Sequence, residues 1–143
     1  MHAIAIATVA IALCQASPTD LARHLARGYQ LLDRGQTAEA ERELRAAVAA
    51  DPKSVDARIL LGMADYHLNH DSEAAQNLQA ALELEPASLQ AHYVLGLLSL
   101  RRQDLDSAEK HLSRAYAADP RRADILQPLT QVLLARREAA ALV

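Results

Sequence analysis

The sequence predicts an all-α fold, a solenoid of stacked antiparallel helix pairs, and three observations support this prediction. Alanine, leucine and arginine are abundant while phenylalanine and tryptophan are absent, a composition that favours helix over strand. Proline recurs every 34 residues, at Pro52, Pro86 and Pro120. Glycine recurs with the same spacing, at Gly28, Gly62 and Gly96. A fixed period of this size indicates a repeat array, in which each proline ends one helix pair.

The first helix of each unit, helix A, is predicted to begin at a capping residue and to run for about four turns. Asp20, Ser54 and Ser88 share the period, and each has a short side-chain oxygen that can accept a hydrogen bond from a first-turn amide. The repeated glycine lies inside this helix, where glycine costs about 0.5–1 kcal/mol relative to alanine. Glycine at one register of every unit therefore predicts a close approach between neighbouring helices.

A short loop and a second helix, helix B, complete each unit. Gly35 and Asn69 occur at matching places in the loops and tolerate the left-handed backbone that often ends a helix, whereas Gln103 tolerates it less well. Helix B then carries apolar residues at positions i, i+4 and i+7, which form one helical face. These residues are Ala40, Leu44 and Ala47 in the first unit, Ala74, Leu78 and Ala81 in the second, and Ala108, Leu112 and Ala115 in the third.

Residues 123–143 are predicted to form a C-terminal capping helix. Asp124 is expected to cap it, and Pro128 is expected near its first turn, where a missing amide does little harm. The apolar residues expected to cover the exposed end of the third unit are Leu126, Leu129, Val132, Leu133 and Leu134. Such a terminal cap is typical of solenoids.

The repeated pattern resembles the tetratricopeptide repeat, whose signature is W-x2-L-G-x2-Y…A-x3-F…P over 34 residues. The second unit, 55–88, matches at Leu61, Gly62, Ala74, Leu78 and Pro86. The third unit, 89–122, and the first, 21–54, match at the equivalent positions, except that Arg27 precedes the first glycine. The resemblance therefore implies a right-handed α-solenoid with three units in residues 17–122. It also implies a non-enzymatic scaffold or adaptor that binds other proteins.

In the family, defined positions of helix A face a concave groove that binds a peptide or helix of a partner protein. Carried onto this sequence, they are Leu25, Tyr29, Asp56, Ile59, Met63, Tyr66, His67, Gln90, Tyr93, Leu97 and Arg101. The family's basic and asparagine clamp for a C-terminal carboxylate is missing, because Leu25, Tyr29 and Leu60 occupy its places. Three alternatives stay open: the groove residues pack against one another, or they are covered by a second copy in a homo-oligomer, or by the chain's own N-terminal helix.

Other classes of function find little support in the sequence. The net charge is −3 with acidic and basic residues interleaved, so no nucleic-acid partner is expected. No catalytic motif is present, and neither a cofactor nor a small-molecule substrate is expected. His67, His70 and Asp71 lie close together at a predicted loop, but this spacing is typical of solvated turn residues and no metal site is predicted. His24 and His92 share a repeat position, which indicates a structural role between helices.

The first sixteen residues, MHAIAIATVAIALCQA, contain no Asp, Glu, Lys or Arg and include the single cysteine, Cys14. A helix over residues 3–13 would be roughly 16 Å long, well short of the ~30 Å core of a bilayer. The segment is predicted to be a bacterial signal peptide cleaved after Ala16, which implies a periplasmic or secreted protein. The alternatives are an apolar helix of the fold, with a cytoplasmic location, or an uncleaved segment that tethers the scaffold to a membrane.

Overall fold

The structure, a computed structural model, describes residues 18–141, which form seven α-helices and no strand. The helices are α1 (Pro18–Asp33), α2 (Thr37–Ala50), α3 (Val55–His67), α4 (Asp71–Leu84), α5 (Leu89–Arg101), α6 (Leu105–Ala118) and α7 (Ala123–Ala141). The predicted all-α solenoid of three helix pairs and a capping helix is confirmed. The predicted signal peptide, residues 1–16, lies outside the described residues and stays a prediction.

Contacts between the helices follow the order expected of a solenoid. The A helices are α1, α3 and α5, and each packs against the B helix that follows it, α2, α4 or α6. Each B helix also packs against the next A helix, and successive A helices touch each other. The A helices therefore form one continuous surface across the units. Within residues 18–141, none of the seven helices combines the length and the hydropathy of a membrane-spanning segment.

The repeated glycines let the two helices of each pair approach closely. A Cβ atom added at Gly28, Gly62 or Gly96 would lie 2.6, 2.7 and 2.6 Å from a side-chain atom of Leu44, Leu78 and Leu112, respectively. These leucines, together with the repeated alanines of the B helices, are fully buried. The close approach predicted from the glycine register is thus present in all three pairs, and a leucine side chain fills the space beside each glycine.

The loops within the pairs adopt the left-handed backbone that the sequence predicts. The φ angles are +73° at Gly35, +61° at Asn69 and +60° at Gln103. Gly35 adopts this angle without a steric penalty, whereas Gln103 carries a Cβ that makes it less favourable. The third loop therefore has the same geometry as the others, but at a higher cost in conformational free energy at Gln103.

Two of the predicted helix caps are confirmed and two are wrong. The Ser54 and Ser88 hydroxyl oxygens accept hydrogen bonds from the amides of Ala57 and Ala91 at 3.2 and 3.5 Å. Asp20 is not a cap, because α1 already begins at Pro18, and proline suits the first position of a helix. Asp124 likewise lies inside the first turn of α7, where its carboxylate pairs with Arg122.

The capping helix α7 covers the third unit with one face only. Ile125, Leu129 and Val132 are buried, and so is Pro128, which is the sixth residue of the helix and lies beyond the expected first turn. The prediction that all five apolar residues cover the end is wrong for three of them, because a helix presents only part of its circumference to a neighbour. The three that remain about half exposed are Leu126, Leu133 and Leu134.

Candidate functional site

A groove of about 690 Å³ lies between α1 and α3 and reaches the start of α5. Six of the residues predicted to face a groove line it: Leu25, Tyr29, Asp56, Ile59, Met63 and Gln90. Three further residues line it that were not among the predicted groove residues: Ala26, Gln30 and Leu60. The A helices of the first and second units therefore supply nearly the whole surface.

The groove has an apolar floor that belongs to the hydrophobic core and a rim that is open to solvent. Ile59 is 8% exposed and is part of the core between the second and third units. Leu25 and Met63 are half-buried and pack against neighbouring core clusters. Tyr29, at the rim, is 63% exposed. The floor is held by packing that the fold needs anyway, so its shape is largely preformed.

Charge is scarce among the nine residues that line the groove. Asp56, exposed in the first turn of α3, is the only one that is charged at neutral pH. The polar side chains beside it are two glutamines, and the amide of Gln90 lies 3.6 Å from the sulfur of Met63. The groove therefore presents an apolar surface with one negative charge at its edge.

The next stretch of the A-helix surface, between α3 and α5, is covered by Arg101. Its guanidinium group lies 4.1 Å from the centre of the Tyr66 ring, a cation–π contact. The same group donates hydrogen bonds to the Tyr66 carbonyl and the Asn69 side chain, each at 3.0 Å, and forms an ion pair with Asp71. His67 packs edge-to-face against Tyr66. Tyr66, His67 and Arg101 were predicted to face the groove but contact one another instead.

Tyr93 is covered in a similar way by Arg122, from the turn before α7. The Arg122 guanidinium lies 5.6 Å from the Tyr93 ring centre and donates a hydrogen bond to Gln90 at 3.3 Å. Burial raises the pKa of the Tyr93 hydroxyl. Leu97 is half-buried and does not line the open groove. The predicted site thus divides into an open part between α1 and α3 and a covered part between α3 and α5.

The sequence does contain a signal for the three unpredicted lining residues, which is their place next to a predicted groove residue. Ala26 and Leu60 directly follow Leu25 and Ile59, and they occupy the same position of their units. An apolar helix face spans about 100° or more, so it includes residues one step away from the positions that the family pattern defines. Gln30 likewise follows Tyr29.

The cluster read from the sequence at the loop of the second unit does not come together. His67 packs against Tyr66, and Asp71 pairs with Arg101 and Arg102. The remaining member, His70, points back to the first unit, where its Nδ1 atom lies 3.3 Å from a carboxylate oxygen of Glu41.

His24 and His92 link the two helices of their own units, as their shared position predicts. His24 contacts the Glu43 carboxylate at 2.7 Å. The Nε2 atom of His92 donates a hydrogen bond to the Pro86 carbonyl at 3.0 Å, so the Nδ1 atom of neutral His92 accepts one from His111 at 2.9 Å. Burial lowers the pKa of both rings of this pair, and that of His111 falls to about 4. The pair is therefore neutral at physiological pH.

Comparisons with known proteins agree with this architecture. Two tetratricopeptide repeat profiles match residues 21–64 and 68–123, together 100 of the 143 residues. A sequence comparison with curated proteins gives no match.

Several solved structures share the fold at low sequence identity. The first tetratricopeptide domain of Spaghetti (RPAP3), bound to the HSP90 peptide SRMEEVD, has a TM-score of 0.81 and 18% identity, covering 87% of this chain and 98% of that one. MamA has a TM-score of 0.76 and 24% identity, covering 85% and 71%. The type III secretion chaperone SycD of Yersinia enterocolitica, in complex with a peptide of the translocator YopD, has a TM-score of 0.74 and 13% identity, covering 84% and 97%. Together with the two matched segments and the regular stacking of the helix pairs, this likeness shows that the chain belongs to the tetratricopeptide repeat family.

Proposed function

We propose that the groove between α1 and α3 binds an apolar segment of a partner protein, and that a basic residue of this segment faces Asp56. The family and the fold are those of protein-interaction modules rather than enzymes. The observation that carries the proposal is the open apolar groove with a single acidic side chain at its edge. The partner is a protein or peptide, and the chain acts as a scaffold or adaptor.

The size of the apolar surface supports a partner of moderate affinity. Leu25, Ile59 and Met63 offer contacts on the floor, and Tyr29 offers a large ring at the rim. Anchors that bury such side chains contribute about 1.5–3 kcal/mol each, and association itself costs about 4–15 kcal/mol. Three or four anchors therefore favour a dissociation constant on the order of micromolar.

The charge of the groove favours a basic segment over an acidic tail. The groove-lining residues include no cationic side chain, and Leu25, Tyr29 and Leu60 stand where the family's carboxylate clamp would place basic and asparagine side chains. The RPAP3 domain and SycD are each described with a bound peptide, which supports a peptide in the groove of this fold. The acidic HSP90 tail, however, is a poor match for a groove whose only charge is negative.

Fluorescence anisotropy with three short synthetic peptides of equal length tests this proposal. Two carry the same leucines at helical spacing, with lysines or with glutamates at the polar positions, and the third ends in the acidic sequence EEVD. We expect the lysine peptide to bind most tightly. Asp56→Asn should reduce the affinity of the lysine peptide relative to the glutamate peptide by about two- to fivefold, since exposed ion pairs are weak. Met63→Glu should weaken all binding by at least about tenfold, because it places a charge on the apolar floor.

Leu84→Glu is the matched control, since Leu84 is 44% exposed and lies outside the groove lining. This variant should keep the affinity of the unaltered chain, and every variant should keep its helical circular dichroism. Equal binding of the lysine and EEVD peptides, or unchanged binding in a folded Met63→Glu chain, would contradict the proposal.

Self-association is the second candidate, and the outer face of α7 favours it. Leu126, Leu133 and Leu134 are 49%, 48% and 54% exposed on a helix that ends the described stack. Unpartnered apolar faces of this kind commonly mark contacts between proteins. Light scattering of the full chain should then show a dimer that Leu133→Glu converts to a monomer. A monomer at all concentrations would exclude this candidate and leave the groove unaffected.

A further inference from the structure

Three side chains of the kinds that bind metals meet at the junction between the first and second units. Glu41 comes from α2, Asp65 from α3, and His70 from the residue that precedes α4. The Nδ1 atom of His70 lies 3.3 Å from Glu41 Oε1 and 3.9 Å from Asp65 Oδ1. The three candidate ligand atoms all lie within 4.8 Å of one another. Side chains that are distant in sequence thus converge on one point.

Asp65 gives an independent indication that this point holds a ligand. Its side chain is 1% exposed, and its Oδ2 atom accepts a hydrogen bond from Asn77 at 3.0 Å. The other oxygen, Oδ1, is buried without a hydrogen-bond partner and faces His70. A buried polar atom without a partner costs free energy, so a ligand that satisfies Oδ1 is favoured here.

The repeat itself does not need a carboxylate at this position. The equivalent residues are Leu31 in the first unit, which is packed in the core, and Ser99 in the third, whose hydroxyl donates to the Leu95 carbonyl. Only the second of the three units buries an acid there. A buried acid that departs from the repeat pattern and lowers the stability of the fold indicates a role other than folding.

We propose that Glu41, Asp65 and His70 form a binding site for a zinc-type divalent cation between the first and second units. A tetrahedral zinc ion with bonds of about 2.0–2.1 Å separates its nitrogen and oxygen ligands by about 3.3–3.4 Å. The separations of 3.3 and 3.9 Å need only small side-chain movements to reach this value. One imidazole and two carboxylates suit zinc better than magnesium, and the fourth position is left to water.

The cation would reach the site from the side of His70, whose side chain is 47% exposed. Arg45 competes for the same position, because its guanidinium group donates a hydrogen bond to Glu41 Oε1 at 2.7 Å. The Arg45 side chain is 58% exposed and can turn into solvent when the metal binds. The metal thus replaces a weakly held surface cation and also satisfies the buried oxygen of Asp65.

Proton binding also competes with the metal. Burial raises the pKa of Asp65 to about 6, and the negative charge of Glu41 adds to the increase. The hydrogen bond from Asn77 acts in the opposite direction and lowers this pKa. Burial acts to raise the pKa of Glu41 as well, but the hydrogen bond and charge of Arg45 hold it below its usual value. Protons therefore compete with the metal more strongly at Asp65 than at Glu41.

Calorimetric titration of the full chain with zinc chloride, after treatment with a chelator, tests the proposal. One zinc ion should bind, and Asp65→Asn and His70→Ala should each weaken binding by at least about tenfold. Arg45→Ala should have the opposite effect and strengthen binding, because it removes the competing cation. Magnesium chloride should give no comparable heat.

Matched controls separate this site from other zinc ligands of the chain. His67→Ala and Asp71→Asn alter the neighbouring histidine and acid, which make other contacts, and both should leave zinc affinity unchanged. His70 lies at an exposed loop, so His70→Ala should keep the fold. Absence of zinc binding, equal affinity in the His70→Ala chain, or equal binding of magnesium would overturn the proposal.

Discussion

The surface of the A helices is open between α1 and α3 but covered between α3 and α5, although both stretches are built from the same repeat. Part of the difference lies at the thirteenth residue of each unit, which is Asp33, His67 or Arg101. Only arginine is long enough to reach back over the preceding unit, where it covers the ring of Tyr66. His67 instead packs against its own neighbour and leaves the first stretch open. Together with Arg122 over Tyr93, this arginine closes a surface that the same repeat leaves open one unit earlier.

The second and third units also differ in their buried polar groups. The second unit contains Asp65, a carboxylate whose pKa is raised by burial to about 6. The third unit contains the pair of His92 and His111, whose pKa values are lowered by burial. An acid with a raised pKa and a base with a lowered pKa both favour the neutral form. Their effects on the stability of the fold, however, depend on pH in opposite directions. The two regions can therefore be distinguished by titration.

The largest expected effect concerns the histidine pair. The pKa of His111 is about 4 in the folded chain and about 6.5 when unfolded, so the unfolded state binds more protons between these values. The stability that the neutral ring contributes is present above pH about 6.5 and is lost as the pH falls toward about 4, by about 2–3 kcal/mol. Urea denaturation should show that His111→Leu loses less of its free energy of unfolding over this pH range than the unaltered chain does. An equal loss in the two chains would contradict the assignment.

Asp65 should show the reverse dependence in the metal-free chain. Its folded pKa of about 6 lies above the usual 3.8, so the folded state binds more protons in this window and stability falls as the pH rises through it. Asp65→Asn should therefore be more stable than the unaltered chain by about 2 kcal/mol at pH 8 and not at pH 4. Thermal unfolding at the two pH values, in the presence of a chelator, measures the difference. A constant difference at both values would show that Asp65 does not titrate as expected.

Peptide binding should separate the open part from the covered part. Met63→Glu alters the open floor and should weaken binding of the lysine peptide by at least about tenfold, or about 1.4 kcal/mol. His67→Glu introduces the same charge at an exposed position beside the covered part, where it should change affinity by less than about twofold. Fluorescence anisotropy measures both variants. Similar losses in the two chains would mean that the partner contacts the whole A-helix surface.

Removing the covering arginine should give the smallest effect. Arg101→Ala deletes the cation–π contact with Tyr66 and the ion pair with Asp71, at a cost of about 1 kcal/mol in the free energy of unfolding. It also uncovers the Tyr66 ring, so a peptide long enough to span two units should bind more tightly. Arg102→Ala removes an exposed arginine that contacts Asp71, and serves as the control. Equal affinity of the long peptide for both variants would show that Arg101 does not close the groove.

Much of this arrangement follows from short-range features of the sequence. The 34-residue period of proline and glycine, the Ser54 and Ser88 caps and the alanine–leucine spacing of the B helices each describe local geometry, and the structure agrees with them. The capping helix shows where such reasoning stops. Its leucines were all predicted to be buried, but Leu133 and Leu134 face away from the stack because only one face of a helix can contact its neighbour. The partial coverage of the A-helix surface could not be predicted for a similar reason. The repeat pattern defines where a residue lies on the helix but not how far its side chain extends over the neighbouring unit.

The sequence by itself determined that the chain is a tetratricopeptide solenoid, which helices form it, and six of the residues that line the groove. Periodicity suffices for this, because helix formation and the packing of adjacent helices depend on residues close together in the chain. The tertiary structure alone decided that Arg101 covers Tyr66 and that Glu41, Asp65 and His70 meet at one point. These contacts join different units, and their distances depend on how one helix pair is placed on the next and on where long side chains turn. Neither is encoded in the spacing of residues along the chain.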